Sequence, residues 1–325
     1  MRYLFLTACR NEERILDEFL DELRGAVSSA GLADRSTLYI VDDLSTDRSR
    51  EVVRAWAARN DGLSVELIEA PTNFGNQGAM FFGLCRISCS DDDVLITLDC
   101  DGEDDVRQFR SILEVGEANP GKLVLIERGR RAESLLFKIM FATYKAIFRF
   151  FARQRVVPNN FMLVPGRFVA AIRVSPLAAV HFAYAILRLG IPYVAVTRDR
   201  RPRYGGQTSQ NIFTLVSHGL VGLMAFYETV IAKLFVILVV FGAWATAVTA
   251  VAVAMPADRA GLQRVLLWSA VAAGAGGVGL FALLLAAGLA LIFKVTVFSQ
   301  IQVAIERSTV KVPPRVDPTD AAPHN

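Results

Sequence analysis

The stretch "LITLDCDGEDD" (residues 95–105) joins an apolar run to a cluster of acidic residues. Its beginning, Leu95 to Leu98, is typical of a buried strand. The carboxylates that follow are Asp99, Asp101, Glu103, Asp104 and Asp105. Like charges this close together repel one another unless a positive charge lies among them. The stretch therefore predicts a strand that ends in a cation-binding loop.

Similar apolar runs alternate with amphipathic helical patterns through the first two hundred residues. Candidate strands cover 3–9, 38–43, 65–69, 94–99 and 123–128, and helical patterns cover about 12–30, 46–59, 75–88 and 106–118. This alternation is typical of a parallel sheet with helices on both faces. Ligands bind such sheets beyond the carboxyl ends of the strands. We therefore predict an α/β, doubly wound fold whose site lies at the strand ends.

Three of the strand ends carry acidic residues. The first strand ends in "TACRNEE" (7–13), the second in "VDDLSTDRS" (41–49) and the fourth in "DCDGEDD" (99–105), while "NFGNQGA" (73–79) follows the third. Taken singly, Ser45 to Asp47 would serve as a helix cap and Asn73 to Gly75 as a turn. Several acidic loops on one sheet edge favour a binding site instead.

The ligand expected at this edge is a diphosphate held by a divalent cation. The sequence contains no GxxxxGK[ST], and no GxGxxG follows the first strand, which argues against a P-loop and against a dinucleotide site. Mg²⁺ or Mn²⁺ prefers carboxylate and phosphate oxygens. One of Asp99 and Asp101 is expected to be the direct ligand, with the other reaching the ribose or a metal-bound water, and Glu103 lies on the side of Asp101 in an extended chain.

The mean hydropathy of +0.38 reflects two long apolar segments. No charged residue occurs in 234–255 or in 265–293. Each segment exceeds the roughly 20 residues that a helix needs to cross a bilayer, and the alternative is a pair of buried helices in a large soluble core. The short connection "PADRAGLQR" (256–264) predicts an antiparallel transmembrane hairpin.

Basic residues on both sides of the hairpin predict its orientation. Upstream stand Arg198, Arg200, Arg201, Arg203 and Lys233, and downstream stand Lys294, Arg307, Lys311 and Arg315. Arg259 and Arg264 in the connection weaken the bias. We expect an inner-membrane protein with both termini in the cytoplasm, built from a catalytic domain (1–225), a hairpin (226–298) and a tail (299–325). The four cysteines show no zinc spacing and are expected to be reduced.

The motifs "CRNEE", "VDDLSTDRS", "NFGNQGA" and "LDCDGEDD", in this order and spacing, resemble those of family 2 glycosyltransferases, which have the GT-A fold with a mostly parallel sheet. The two C-terminal spans make the chain similar to the polyprenyl-phosphate glycosyltransferases, the group that includes dolichol-phosphate mannose synthase. The segment Arg200-x-x-Arg203-x-x-Gly206-x-Thr208 resembles an arginine-rich segment of that group. The resemblance covers residues 1 to about 300.

The resemblance implies roles for the acidic residues. Glu12, Asp42 and Asp43 would contact the base and ribose of the nucleotide, with Asp42 accepting an N–H of uracil. Asp99 would lie near the ribose or the diphosphate. Asp101 would be the main ligand of Mg²⁺ or Mn²⁺, and Glu103 stands where the family often has a metal-contacting glutamine.

The basic residues that the resemblance assigns to phosphate binding are Arg128, Arg131, Arg200 and Arg203. A guanidinium pairs two phosphate oxygens at once, which suits this role. The alternative for Arg128 and Arg131 is a solvated basic turn.

The segment "SLLFKIMFATYKAIFRFFARQR" (134–155) predicts a basic amphipathic helix, which the family places at the membrane interface; an ordinary core-facing helix is the alternative.

One departure from the family concerns the catalytic base. Bacterial relatives commonly show Asp-Phe-Arg-Leu after the interface helix, with the aspartate proposed as base, whereas this chain has Asn160-Phe161-Met162-Leu163. An amide cannot take up the proton, so the base lies elsewhere or is not needed. Asn76 and Ser209 likewise stand where relatives often carry a lysine.

We therefore predict a metal-dependent glycosyltransferase that moves a sugar from a nucleoside diphosphate sugar, UDP-linked, to a polyprenyl phosphate with inversion. Asp101, Asn160, Arg200 and Arg203 are the candidate catalytic residues. The alternatives are another lipid acceptor, of the diacylglycerol or ceramide type, and a non-catalytic scaffold. A processive polysaccharide synthase would show QxxRW, which the sequence lacks. No nucleic-acid partner is expected, and small residues at 272/276, 273/277 and 275/279 raise the possibility of a homo-oligomer.

Overall fold

The fold is seen in a computed structural model that describes residues 1–60, 62–129, 135–153, 160–198, 201, 204–205, 219–220, 222–223, 225–256 and 259–307. The strands are β1 (Tyr3–Cys9), β2 (Ser36–Asp42), β3 (Ser64–Glu69), β4 (Val94–Thr97), β5 (Leu123–Arg128), β6 (Met162–Pro165) and β7 (Tyr193–Arg198). The helices are α1 (Leu16–Ser29), α2 (Ser49–Arg59), α3 (Gly75–Arg86), α4 (Phe109–Ala118), α5 (Leu135–Ala152), α6 (Val169–Arg173), α7 (Phe182–Arg188), α8 (Tyr227–Ala254) and α9 (Ala260–Arg307).

Within the described residues the strands form one sheet in the order β3-β2-β1-β4-β6-β5-β7. Helices cover both faces of β1 and β2, which explains why these strands are almost uniformly buried. The edge strands β3 and β7 alternate instead between more and less exposed positions. The α/β, mostly parallel GT-A architecture predicted from the sequence is confirmed.

The prediction missed β6 and β7. Strand β6 runs antiparallel to β4 and β5, and it has only four residues, too few to stand out as an apolar run. Strand β7 pairs with β5 in parallel and is an edge strand with an arginine at its end. Because β6 is antiparallel, the residues that precede it lie at the same sheet edge as the carboxyl ends of β1, β2 and β4.

Two hydrophobic cores lie on the two faces of the sheet. One contains Phe19 of α1, Trp56 of α2 and Phe109 of α4. The other contains the apolar residues of α3, together with Phe148 of α5 and Tyr184 of α7. The parallel strands thus hold their carboxyl ends in fixed positions between two packed layers.

Helix α5 occupies most of the predicted interface segment and has two different faces. Phe148 is fully buried and packs against the rings of Tyr184 and Phe226, with centroids 5.1 and 5.7 Å away. Ile147 and Phe150 are 44% and 56% exposed. The helix therefore faces the core on one side, in line with the alternative interpretation of the sequence, and presents apolar surface on the other.

Helices α8 and α9 are long and apolar enough to cross a membrane, over Tyr227–Ala254 and Ala260–Leu283. Only 6% and 11% of their most apolar 18-residue stretches are buried, so these stretches are not packed as core helices within this chain. Large apolar side chains such as Trp244, Trp268 and Leu289 are exposed along them. Exposed apolar helices of this length match the two segments predicted from hydropathy.

Helix α9 is much longer than the predicted span. Its 48 residues correspond to about 72 Å of helix. Near its end Phe298 lies 5.7 Å from the ring of Phe81, and Ile301 is fully buried beside α3. Residues 299–307, which were expected to begin a tail, therefore continue the helix, because they pack on the catalytic-domain core.

The small residues of α9 divide between two faces. Ala273 is buried, and a Cβ on Gly277 would lie 3.4 Å from Cδ1 of Leu238 on α8. A Cβ on Gly276 would meet no atom within 4 Å. The 273/277 pair thus packs within the hairpin, whereas the 272/276 pair faces outward.

Gly277→Leu is expected to lower the stability of the hairpin by about 1–3 kcal/mol, because the added side chain would force α8 and α9 apart. Gly276→Leu, the matched control on the open face, is expected to leave the thermal stability of the detergent-solubilised protein unchanged. Crosslinking in native membranes tests the predicted oligomer with the same pair. A dimer that Gly276→Leu leaves intact would show that this face is not used for association.

Candidate active site

The loops after β1 and β2 are joined by hydrogen bonds. The backbone N–H of Asn11 donates to Oγ of Ser45 at 3.0 Å, and Oδ1 of Asn11 accepts the N–H of Thr46 at 2.8 Å. Asn11 and Leu44 have φ angles of 57° and 59°, which turn both loops sharply at the ends of their strands. The N–H of Glu12 donates to Ser49 at 2.9 Å, so Glu12 is held at the junction.

Asp42, at the end of β2, is 1% exposed. Its Oδ2 accepts the N–H of Ser45 at 3.1 Å and lies 3.4 Å from Nε of Arg50, whereas its buried Oδ1 has no hydrogen-bond partner in the described part of the chain. Arg50 also donates to the Ser45 carbonyl at 2.7 Å. Asp42 and Arg50 together brace the loop after β2, and a contact of Asp42 with a nucleobase stays a prediction.

Asp43 connects this loop to α3. Its Oδ1 accepts the N–H of Phe74 at 2.7 Å, at the N-terminus of the helix. Burial raises the pKa of the Asp43 carboxyl, and the hydrogen bonds from the backbone of Phe74 and Gly75 oppose that rise. The "VDD" and "NFG" motifs thus meet directly, as their convergence on one edge predicts.

The acidic loop after β4 is folded by its own carboxylates. Oδ2 of Asp104 accepts the N–H of Asp99 at 3.0 Å, and Oδ1 of Asp101 accepts the N–H of Glu103 at 2.9 Å. Gly102, with φ of 80°, allows the tight turn between them. Asp101 and Asp104 are buried, so several carboxylates are concentrated in one small loop.

Residues after β7 pack against this loop. The N–H groups of Arg201 and Tyr204 donate to the carbonyls of Glu103 and Asp101, both at 3.3 Å. The Tyr204 hydroxyl and the Arg201 guanidinium both donate to Glu22 of α1, at 2.6 and 2.8 Å. A Cβ on Gly102 would overlap the Tyr204 ring, so the acidic turn is shaped to this tyrosine.

Asn160 meets the acidic loop because β6 is antiparallel to β4. Its Nδ2 donates to Oδ1 of Asp99 at 3.1 Å, and its Oδ1 accepts from Nε2 of Gln77 at 3.0 Å. The hydroxyl of Thr97 donates to the backbone carbonyl of Asn160. Asn160 is 8% exposed and is therefore part of the wall of the site.

The donor chemistry of the acidic loop fits Mg²⁺ or Mn²⁺. The Cys100 thiol is buried and donates to the Ala8 carbonyl at 3.5 Å. Burial raises the pKa of this thiol, which keeps it protonated and a poor ligand. The loop therefore offers oxygen atoms alone, the ligands of a hard cation. Across the described residues no three His, Cys, Asp or Glu side chains form a metal-binding group.

The structure thus gathers the predicted acidic residues and Asn160 at one edge of the sheet. Arg128 ends β5 at this edge, and nothing is described of its side chain. Arg131, Arg200 and Arg203 lie outside the described residues.

Sequence reasoning missed Gln77, Arg50, Tyr204 and Glu22. Gln77 stands inside the quoted "NFGNQGA" motif, and this position was the available signal. Nothing in the local sequence marks Glu22, which reaches Tyr204 across 182 positions of the chain.

Comparisons with curated proteins find partial relatives. The undecaprenyl-phosphate 4-deoxy-4-formamido-L-arabinose transferase of Pseudomonas paraeruginosa is 35% identical over 104 residues, which are 32% of this chain and 29% of that protein. The uncharacterized glycosyltransferase YkoT of Bacillus subtilis is 23% identical over 226 residues, which are 67% of this chain and 65% of that protein. The chain therefore spans about two thirds of one relative and under a third of the other.

Solved structures with a similar fold include the mannosyltransferase PcManGT of Pyrobaculum calidifontis in complex with GDP-Man and Mn²⁺. It is 17% identical, with a TM-score of 0.48 over 94% of this chain and 86% of that one. Glucosyl-3-phosphoglycerate synthase of Mycobacterium tuberculosis is 14% identical, with a TM-score of 0.49 over 70% and 79%. The model of the family "Glycosyl transferase family 2" matches residues 5–178, more than half of the chain. This match shows that the chain belongs to glycosyl transferase family 2, and the strand order and the acidic sheet edge agree with it.

Proposed function

We propose that the chain is a membrane-anchored glycosyltransferase that moves a sugar from a UDP-sugar to a polyprenyl phosphate. The catalytic domain would comprise residues 1–225 and face the cytoplasm, and α8 and α9 would anchor it. The observation that carries the proposal is the position of the acidic loop. The strand order reverses between β1 and β4, and the loops after these two strands border the crevice at which α/β sheets bind ligands.

Asp101 would be the main ligand of Mg²⁺ or Mn²⁺, with Glu103 beside it. The turn around Gly102 supports this role for two reasons. It holds the buried Asp101 carboxylate in place, and the loop offers oxygen ligands instead of sulfur. The cation, when bound, would neutralise the charge that develops on the leaving diphosphate. Glu12, Asp42 and Asp43 would line the nucleoside end, and Asp99 would face the ribose or diphosphate.

Arg128, Arg131, Arg200 and Arg203 would hold the donor diphosphate and the acceptor phosphate. The contacts of Arg201 and Tyr204 with the acidic loop support the roles of Arg200 and Arg203, because Arg201 directly follows Arg200 in the sequence and Tyr204 directly follows Arg203. The polyprenyl-phosphate acceptor is supported by the resemblance and by the name of the 35% identical relative.

The membrane assignment rests on α5, α8 and α9. Exposure of the apolar surface of α8 and α9 to water would be unfavourable. The exposed side of α5 carries Ile147 and Phe150 beside Lys145 and Arg149. A helix with such a face lies in the headgroup plane, where the phosphate of a lipid acceptor can reach the catalytic domain.

The reaction would be a single displacement at the anomeric carbon with inversion. An oxygen of the acceptor phosphate attacks this carbon, and the bond to the diphosphate breaks on the opposite side. A phosphate monoester, with its second pKa at roughly 6, is mostly dianionic at pH 7 and has no proton to lose. A general base is therefore not required, which accounts for an asparagine at position 160.

The test is an assay of the full chain in membranes with radiolabelled UDP-sugars and undecaprenyl phosphate, resolved by thin-layer chromatography. We expect a lipid-linked sugar that forms only with a divalent cation, and inversion is read from the anomeric configuration of the product. Transfer only to a diacylglycerol or a ceramide would mean that this lipid, and not polyprenyl phosphate, is the acceptor. No transfer from any donor would favour the scaffold alternative.

A further inference from the structure

A chain of side-chain amides crosses the wall of the site and ends at Asp99. The N–H of Phe182, at the start of α7, donates to Oε1 of Gln77 at 2.8 Å. Nε2 of Gln77 donates to Oδ1 of Asn160 at 3.0 Å, and Nδ2 of Asn160 donates to Oδ1 of Asp99 at 3.1 Å. The three contacts form a relay that links α7, α3, the entry to β6 and the acidic loop.

The direction of this relay is fixed by its two ends. A backbone N–H can only donate, so the oxygen of the Gln77 amide must face Phe182 and its NH₂ group must face Asn160. A carboxylate can only accept, so the NH₂ group of Asn160 must face Asp99. The two amide orientations therefore follow from chemistry, although nitrogen and oxygen look alike in a side-chain amide.

Neither side-chain amide can exchange its oxygen and NH₂ positions without losing hydrogen bonds. Asn160 is 8% exposed and its backbone carbonyl accepts from Thr97, so the residue is held from both ends. An inverted Asn160 would place its oxygen against Asp99, and an inverted Gln77 would place its NH₂ group against the N–H of Phe182. Buried polar groups that face like groups are costly, so one orientation is strongly preferred.

We propose that Gln77 is a positioning residue, which acts through Asn160 to aim a hydrogen-bond donor at Asp99 and so to fix the carboxylate that faces the nucleotide donor. This inference rests on the proposed function only for the role of Asp99 in donor binding. The relay also connects the site to the N-terminus of α7, whose residues Phe182 and Tyr184 lie in the core that α5 shares.

The experiment is a cycle of charge-changing substitutions, read by thermal unfolding of the full chain in detergent. In Gln77→Glu, two carboxylates compete for the single NH₂ group of Asn160, and Tm is expected to fall by about 3 °C or more. In Asp99→Asn the relay survives, since the new amide can still present an oxygen. In the double variant the relay can run backwards, from the new amide at position 99 through Asn160 to the new carboxylate at position 77. Adding Gln77→Glu to the Asp99→Asn background is therefore expected to change Tm by under about 1 °C.

Asn76→Asp is the matched control, because it adds the same charge one position earlier on an exposed side chain. It is expected to change Tm equally little in the wild-type and the Asp99→Asn backgrounds. An equal loss of Tm for Gln77→Glu in both backgrounds would overturn the relay, since positions 77 and 99 would then be uncoupled.

Activity gives the second readout. Gln77→Glu is expected to raise KM for the UDP-sugar by about tenfold and to leave KM for the polyprenyl phosphate unchanged. A loss confined to kcat, with both KM values unchanged, would contradict the positioning role. If the wild-type chain transfers no sugar at all, the proposed function fails, while the Tm cycle still decides whether the relay exists.

Discussion

Replacing Asp101 by asparagine is expected to reduce sugar transfer by about 10³-fold or more, which is about 4 kcal/mol of transition-state stabilisation. Asparagine can still accept the N–H of Glu103 through its amide oxygen, so the turn around Gly102 is expected to persist. The substitution removes the negative charge alone. An oxygen-only cation site that loses its charged ligand loses affinity for Mg²⁺ and Mn²⁺ and no longer neutralises the leaving diphosphate.

The measurement is the initial rate of transfer across a titration of Mn²⁺, starting from a chelated, metal-limited buffer. Asp92→Asn is the matched control, because it makes the same change on an exposed side chain before β4, at the opposite edge of the sheet. It is expected to retain wild-type activity. Full activity of Asp101→Asn in metal-limited buffer would remove Asp101 from the cation site.

The part of the fold that sequence predicted well is the part built from long apolar segments. Strands β1 and β5 have their predicted bounds, and β2 and β3 differ from theirs by one or two residues. Strand β4 ends at Thr97, earlier than expected, because Asp99 already turns into the acidic loop. Strand β6 was missed because it has only four residues, and β7 because it is an edge strand; both are identified by their pairing with β4 and β5.

Helix α9 shows a second limit of sequence reasoning. The hairpin was predicted to end at residue 298, shortly after the charge-free segment 265–293 and Lys294. A single charge ends an apolar segment but does not end a helix, and α9 continues because Phe298 and Ile301 pack against α3. The end of this helix is set by tertiary contacts that hydropathy does not record.

The candidate site divides in the same way. The acidic residues were predicted because several carboxylates in one loop are conspicuous in any sequence. Gln77 and Asn160 are 83 positions apart, and their contact depends on the antiparallel β6 that the prediction lacked. The structure also assigns Asp42 and Asp43 bonds within the loops, which residue type and spacing alone do not specify.

The second large effect is expected at Asn160. If relatives with an aspartate at this position use it as a base, Asn160→Asp would restore a lost group and raise turnover. The structure leads us to expect the opposite, a loss of about 10²-fold. The new carboxylate would stand where Nδ2 now donates to Asp99 at 3.1 Å, so two negative charges would face each other beside a dianionic acceptor.

Two further variants separate positioning from charge. Asn160→Ala removes the donor without adding a charge and is expected to cost no more than roughly tenfold, about 1.4 kcal/mol. Arg203→Ala removes part of the proposed positive clamp on the acceptor phosphate and is expected to cost more than Asn160→Ala, since a guanidinium that pairs two phosphate oxygens offsets the repulsion between acceptor and donor.

The decisive measurement is kcat of the three variants with saturating UDP-sugar and undecaprenyl phosphate at pH 7 to 8, where the acceptor is a dianion. General-base catalysis contributes about 10²–10⁴-fold when the nucleophile must lose a proton, and nothing of that size is available to a nucleophile that has none. A rise in kcat of tenfold or more for Asn160→Asp would therefore refute the base-free mechanism, because it would mean that the acceptor does need a proton removed and that this chain is an impaired member of its family.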